Sequence, residues 1–229
     1  NAPEMSISTW VEMRVYSNIP KTGQVSDSIA IDLIHGYYAT LSYTDALIGK
    51  ILTELKKQNL DKSTIVILVS DHGYNLQEHT QWAKFTNYNT STQVPLIIYN
   101  PFSKNKGNSD ALVELVDVYP TLAELCNLEI PQNQLEGKSF VANLKDVNKK
   151  GKEHVFIKKG NGFTLKTNDY SYTEFINPKN NATITSMLFD HKIDKEENEN
   201  VVNNKKYEET VSKLKSILHT NYLSNIKGI

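Results

Sequence analysis

The sequence predicts an α/β domain followed by a small antiparallel sheet with a terminal helix, and three observations carry that prediction. Apolar residues recur at helical spacing from Ser26 to about Leu60, through Ala30, Ile34, Tyr37, Leu41, Ile48, Leu52 and Leu55. An unbroken run, Thr64-Ile65-Val66-Ile67-Leu68-Val69, follows and reads as a central parallel strand covered on both faces. Beyond about residue 150, short strand candidates alternate with turn residues.

Each element has local support. Ser26 or Asp27 caps the long helix, and Lys56-Lys57 lie near its end, where cations suit the macrodipole. Gly36 and Gly49 interrupt it as small residues that permit close packing. A second strand, Val94 to Tyr99, starts with Pro95, where no ladder donor is needed, and stops at Asn100-Pro101. From Leu112 to Leu128 a short apolar run leads into a helix capped by Asp117, with Pro120 in its first turn. These are the pieces of a layered α/β domain. Asn, Lys and Gly cluster between Lys145 and Lys152, which marks a boundary between a 1–150 domain and a 151–229 α+β subdomain. Strand candidates there are Val155-Phe156-Ile157, Gly162 to Lys166, Tyr170 to Phe175 and Met187-Leu188-Phe189. The charged stretch Asp194 to Lys206 reads as a solvated loop. A helix from about Tyr207 to Tyr222 sets Val211, Leu214, Ile217 and Leu218 on one face.

Composition excludes several classes. The chain has 229 residues, 39 % hydrophobic and 22 % charged, which excludes disorder as the dominant state. Lys+Arg at 25 against Asp+Glu at 26 leaves no basic excess to draw it onto nucleic acid or an anionic membrane. No apolar run approaches the ~20 residues that span a bilayer. The one cysteine, Cys126, cannot form an internal disulfide, and on an apolar helix face it reads as a core residue. Asn1-Ala2-Pro3-Glu4 has neither an initiator Met nor a signal pattern and reads as a cut edge.

The chemistry concentrates where the first strand ends, at Asp71-His72-Gly73. Ligands of open α/β sheets bind outside the carboxyl ends of strands, and a carboxylate beside an imidazole can reach one cation there. Ordinary turn residues would give the same tripeptide. Two residues cannot fill a coordination shell, so other ligands must come from elsewhere. Downstream, Glu78-His79 and Trp82-Ala83-Lys84 lie in a polar loop. Lys84 is either a solvated surface residue or a point charge for an anionic substrate group. His79 reads equally as a supporting, structural or catalytic residue.

Together, Asp71-His72-Gly73, Glu78-His79, Trp82-Ala83-Lys84 and Val94-Pro95-Leu96-Ile97 resemble the second signature region of type I, formylglycine-dependent sulfatases, with iduronate-2-sulfatase and its bacterial relatives as the nearest branch. Gly36 to Asp45, Val113 to Leu122 and Leu188-Phe189-Asp190 to Val201 are similar to further segments of that family, so the resemblance runs from about Glu4 to Leu218. It implies the alkaline-phosphatase-like fold, here as the C-terminal half of its central mixed sheet with flanking helices, plus the small sheet. It also implies that Asp71 and His72 are ligands of a divalent cation, usually calcium, that Lys84 contacts sulfate, and that the substrate is a sulfated small molecule or glycan. A periplasmic, secreted or lysosomal location goes with it.

The sequence departs from the family in one respect. The Cys/Ser-x-Pro/Ala-x-Arg motif that yields the formylglycine nucleophile does not occur among these residues, and neither do the paired aspartates that complete the metal site. The expectation is therefore a chain that is inactive alone, binds a divalent cation weakly or not at all and needs the N-terminal half of a sulfatase as partner. Two other readings stay open: a metal-dependent phosphatase or phosphodiesterase of the same superfold, and a non-catalytic sugar-binding or partner subunit. Asn89-Thr90-Ser91 and Asn181-Ala182-Thr183 match the glycosylation sequon, a pattern that chance often supplies.

Overall fold

Helix α1 (Asp27–Lys57) starts where the sequence places it: Ser26 is the N-cap and its hydroxyl accepts from the Ile29 amide. The computed structural model describes residues 1–8, 12–131 and 134–225. These fall into two compact units, 7–104 and 1–6 with 105–225. The boundary read near residue 150 lies inside the second unit, just before its sheet begins.

In the 7–104 unit, the N-terminal end of α1 packs through Ala30, with Ile29 and Leu33 beside it, on Met13, Ile19 and Val25. Farther along, Ile31, Tyr38, Leu41, Ile51 and Leu52 are exposed. A Cβ built on Gly36 or Gly49 meets nothing within 4 Å, so the close packing expected at these glycines is not made among the described residues.

The expected central parallel strand is corrected. Strand β1 (Val66–Val69) pairs antiparallel with β4 (Leu96–Tyr99), Val66 opposite Tyr99, in a two-stranded sheet. Leu68 is 39 % exposed and its chain neighbour Val69, on the opposite face, 41 %, so neither face is fully covered. Parallel neighbours need a crossover, usually helical. Here the chain between β1 and β4 makes a small hairpin, β2 (Asn75–Leu76) with β3 (Trp82–Ala83), and one helical turn, α2 (Asn89–Thr92), then returns.

The second unit is better covered. After a 3-10 turn (Leu115–Asp117) come α3 (Val118–Leu125) and α4 (Val141–Lys145). Pro120 lies in the first turn of α3 as expected, but Asp117 makes no side-chain cap on it. Its buried carboxylate instead accepts from the Glu114 and Lys138 amides at 2.8 and 2.7 Å and pairs with Lys152. Cys126 is also corrected: α3 ends at Leu125, so Cys126 caps the helix and is exposed.

Four strands, β5 (Val155–Lys159), β6 (Gly162–Lys166), β7 (Tyr170–Ile176) and β8 (Thr183–Asp190), form an antiparallel meander in that order. Helix α5 (Glu208–Asn221) lays Leu214 and Leu218 on its Phe163, Leu165, Tyr172 and Leu188. The stretch 194–206 is a loop but not wholly solvated. Glu197 is buried against His191 at 2.9 Å, and Asn200 accepts from the Leu188 amide. Among the described residues no helix is long and apolar enough to cross a membrane.

Candidate active site

The site is built on the excursion between β1 and β4. Leaving β1, the chain closes on itself: the Ser70 hydroxyl donates to the His72 carbonyl at 2.8 Å, and the Gly73 amide donates to the Ser91 carbonyl at 2.9 Å. Gly73 is required for space. A Cβ there would sit 2.0 Å from the Thr90 carbonyl oxygen, so only glycine lets the two backbones approach this closely.

Asp71 and His72 come together. His72 Nδ1 lies 2.8 Å from the Gly73 carbonyl oxygen; a carbonyl only accepts, so Nδ1 carries the proton. The ring's Nε2 stands 3.4 Å from Asp71 Oδ2. A cation between them would satisfy both, as would a proton on Nε2, which makes the pair a histidine–carboxylate ion pair. Ligands about 2.4 Å from one cation and at right angles are about 3.4 Å apart, so the pair fits one hard cation. The backbone bond to Nδ1 is also the usual way a ligating imidazole is oriented. The Asp71 side chain is 85 % exposed and His72 36 %, so both face outward. No group of three or more His, Cys, Asp or Glu that could hold a metal occurs among the described residues.

Lys84 follows the β2–β3 hairpin, whose register sets Ala83 opposite Asn75, two residues after Gly73. Its Nζ lies 3.5 Å from Glu12 Oε1 and its side chain is 27 % exposed, so it is neither fully solvated nor buried. The loop holds an unusual density of left-handed backbone: Gln77, His79, Thr80 and Ala83 have φ of 87°, 52°, 61° and 66°. Non-glycine residues held there cost energy that the surroundings must offset, and such residues collect at functional sites. His79 has a structural position, its ring stacked on buried Tyr88 at 4.0 Å and 12°.

Two residues important to this arrangement carry no sequence signal. Fully buried Asn75 donates from Nδ2 to the Ala83 carbonyl (2.6 Å) and the Ser91 hydroxyl (2.7 Å), and accepts from the Thr90 hydroxyl at 2.5 Å. It thereby ties the hairpin to α2. Glu12 is the second, and it also acts on Tyr74. Burial first, then the Glu12 charge, raises the Tyr74 phenol above its ordinary value. A cleft of about 420 Å³ opens beside the hairpin, lined by Met13, Arg14, Gln24, Gln77, Gln81 and Trp82 among others.

Residues 9–128 match the sulfatase family model, and residues 77–223 match that of the C-terminal region of N-sulphoglucosamine sulphohydrolase. Bovine (Bos taurus) arylsulfatase K is 30 % identical over 223 residues, covering 89 % of this chain and 40 % of the relative. Human (Homo sapiens) iduronate 2-sulfatase is 30 % identical over 160 residues, covering 56 % and 29 %. The chain thus spans less than half the length of the curated relatives it matches. BT4656, solved with its substrate D-glucosamine-2-N,6-O-disulfate, superposes with a TM-score of 0.74 at 26 % identity, covering 82 % of this chain and 40 % of that one. That likeness gives the chain the alkaline-phosphatase-like fold of the sulfatases. Because the first family match covers more than half of the residues and takes in the whole excursion from Asp71 to Lys84, the chain belongs to the sulfatase family.

Proposed function

We propose that this chain supplies part of the active site of an enzyme that hydrolyses sulfate esters of a sulfated glycan, with Asp71 and His72 holding a divalent cation and Lys84 contacting the sulfate. The observation that carries the proposal is the Asp71–His72 pair: an imidazole nitrogen and a carboxylate oxygen 3.4 Å apart, with the ring's other nitrogen fixed to its own backbone, in a chain of this family. A bound cation would polarise a sulfate oxygen and draw charge from the sulfur centre. Lys84 brings a compact positive charge to the same excursion, suited to an anionic group and to charge developing on its oxygens. The cleft of about 420 Å³, with Arg14, Gln24, Gln77 and Gln81 in its walls, has room and hydrogen-bonding groups for a sugar. The sulfated substrates of its relatives make a glycan the first class to test.

Two protein ligands fall short of the 6–8 that calcium takes. We infer that further ligands, water among them, and the nucleophile are supplied by parts of a sulfatase that the relatives have and these residues do not span. Alone, the chain should bind calcium weakly and hydrolyse no sulfate ester.

The test uses an enzyme carrying this chain. Lys84→Ala should leave the melting temperature nearly unchanged, because partly exposed ion pairs contribute about 0–1 kcal/mol. Turnover of aryl sulfate and of the sulfated sugar should fall by at least ~100-fold. Retained turnover would return Lys84 to the surface residues. Hydrolysis of aryl phosphate in preference to aryl sulfate would replace the proposal with a phosphatase.

A further inference from the structure

We propose that Glu12 is a built-in counter-anion for Lys84, one that competes with sulfate for the ammonium and so favours release of inorganic sulfate over retention of the ester. The proposal rests on the role given above to Lys84 and adds the residue that tunes it.

Glu12 opens a short 3-10 turn, Glu12–Val15, outside the hairpin that carries Lys84. Its carboxylate is poised unlike the structural carboxylates of this molecule. Asp117 accepts two backbone amides and Lys152, and Glu174 accepts from Tyr172, Thr183 and His219, so both oxygens of each are engaged. Glu12 has one oxygen 3.5 Å from Lys84 Nζ, beyond the ~2.7–2.9 Å of a charge-assisted hydrogen bond. Its other oxygen is buried and has no hydrogen-bond partner among the described residues. A carboxylate whose one ionic contact among the described residues is loose holds the lysine without saturating it. Glu12 is also the second cause, after burial, of the raised pKa of Tyr74, which precedes β2 as Lys84 follows β3.

The consequence follows from charge. An alkyl sulfate ester carries one negative charge and inorganic sulfate two. A fixed carboxylate beside the binding cation therefore opposes the product about twice as strongly as the substrate. An ion pair exposed to this degree is worth a factor of about 1.5 to 5 in binding. Lys84 supplies attraction for both anions, and Glu12 shifts the balance against the dianion.

The experiment is steady-state kinetics of an enzyme carrying this chain, with sodium sulfate as inhibitor at fixed ionic strength. Glu12→Gln should lower the Ki of sulfate about two- to fivefold and lower KM for a monosulfated substrate by less, so the ratio Ki/KM falls. Glu12→Asp, which keeps the charge, should leave the ratio near that of the parent. An unchanged or raised ratio in Glu12→Gln, with Lys84→Gln still crippling turnover and weakening sulfate, would overturn the role of Glu12 alone. Turnover and sulfate inhibition both indifferent to Lys84→Gln would remove the underlying assignment. A second readout needs no activity. Sodium sulfate titrated into the 229-residue chain, followed through the Ala83, Lys84 and Phe85 amides by NMR, should bind more tightly to Glu12→Gln than to the parent. Equal or weaker binding counts against the proposal.

Discussion

Replacing Asn75 by alanine removes the side chain that ties the β2–β3 hairpin to α2, close in the chain to the Asp71-His72-Gly73 turn. Asn75 is fully buried, and three of its contacts are 2.7 Å or shorter: the Ala83 carbonyl, the Ser91 hydroxyl and the Thr90 hydroxyl. Each hydrogen bond contributes a net ~0.5–1.5 kcal/mol, and a buried partner left unsatisfied costs ~1–3 kcal/mol. Ser91 keeps a bond to Thr86 at 2.8 Å, which limits the loss at that end. The Ala83 carbonyl and Thr90 hydroxyl lose this partner outright. About 2–4 kcal/mol is therefore expected, confined to the 7–104 unit. Amide hydrogen exchange reads it locally, because the Gly73 amide donates to Ser91 and the Gln77 amide to Gln81, both inside the affected loop. Exchange at these amides should quicken by about 30- to 1,000-fold, the same free energy expressed as an opening constant. Amides of Phe163 and Leu165, in the other unit, serve as the internal control. Rates at Gly73 and Gln77 within threefold of the parent would refute the hub assigned to Asn75.

Two further outcomes follow from geometry and charge. Burial raises the pKa of Glu174, but hydrogen bonds from Tyr172, Thr183 and His219 outweigh it and hold the carboxyl below its usual 4.5. A depressed folded-state pKa gives stability that is present above about pH 4.5 and lost as pH falls toward the lower folded value; chemical denaturation of the parent should therefore weaken over that acid range, and Glu174→Gln, with Lys215 and His219 still facing the site, should flatten the slope. Because a Cβ at Gly36 or Gly49 meets open space on α1, Gly36→Ala and Gly49→Ala should each raise the stability of the 229-residue chain by up to ~1 kcal/mol in urea titrations, roughly additively, and a loss at either would show that the position is covered.

Much of the fold was legible because it is written in periodicity. Helix α1 begins one residue after its capping Ser26, and the four strand candidates beyond residue 150 all pair in one meander. Features that depend on where an element stops, or on what a side chain meets, were not. Cys126 sits at an apolar helical position, yet α3 ends one residue earlier and leaves it exposed. Asp117 has the residue type of a cap but spends its carboxylate on the Lys138 amide and Lys152. At the site, the tripeptide and Lys84 stood out because strand ends and clustered polar residues are readable in one dimension. Asn75 and Glu12 did not. An asparagine after Gly-Tyr reads as a turn residue, and Glu12 is 72 positions from the lysine it faces.

The apolar pattern itself was read alike in both units, and only one of them delivers the burial. In the 105–225 unit, Leu165, Leu188 and Leu218 are completely covered by one another and their neighbours. On α1, Ile31, Leu41, Ile51 and Leu52 spread around the helix and remain exposed, as do Leu68 and Ile97 on the β1–β4 pair. A helix apolar on several sides is the pattern of a buried element, and an unbroken strand run is the pattern of one covered twice. Periodicity specifies which surfaces must be covered; it does not specify that the cover lies within the same 229 residues. The direction of β1 was missed for the same reason. Continuous apolarity reports the demand for neighbours on both faces and is silent on their direction; the neighbour this chain provides comes back through the β2–β3 hairpin and one turn of helix and pairs antiparallel.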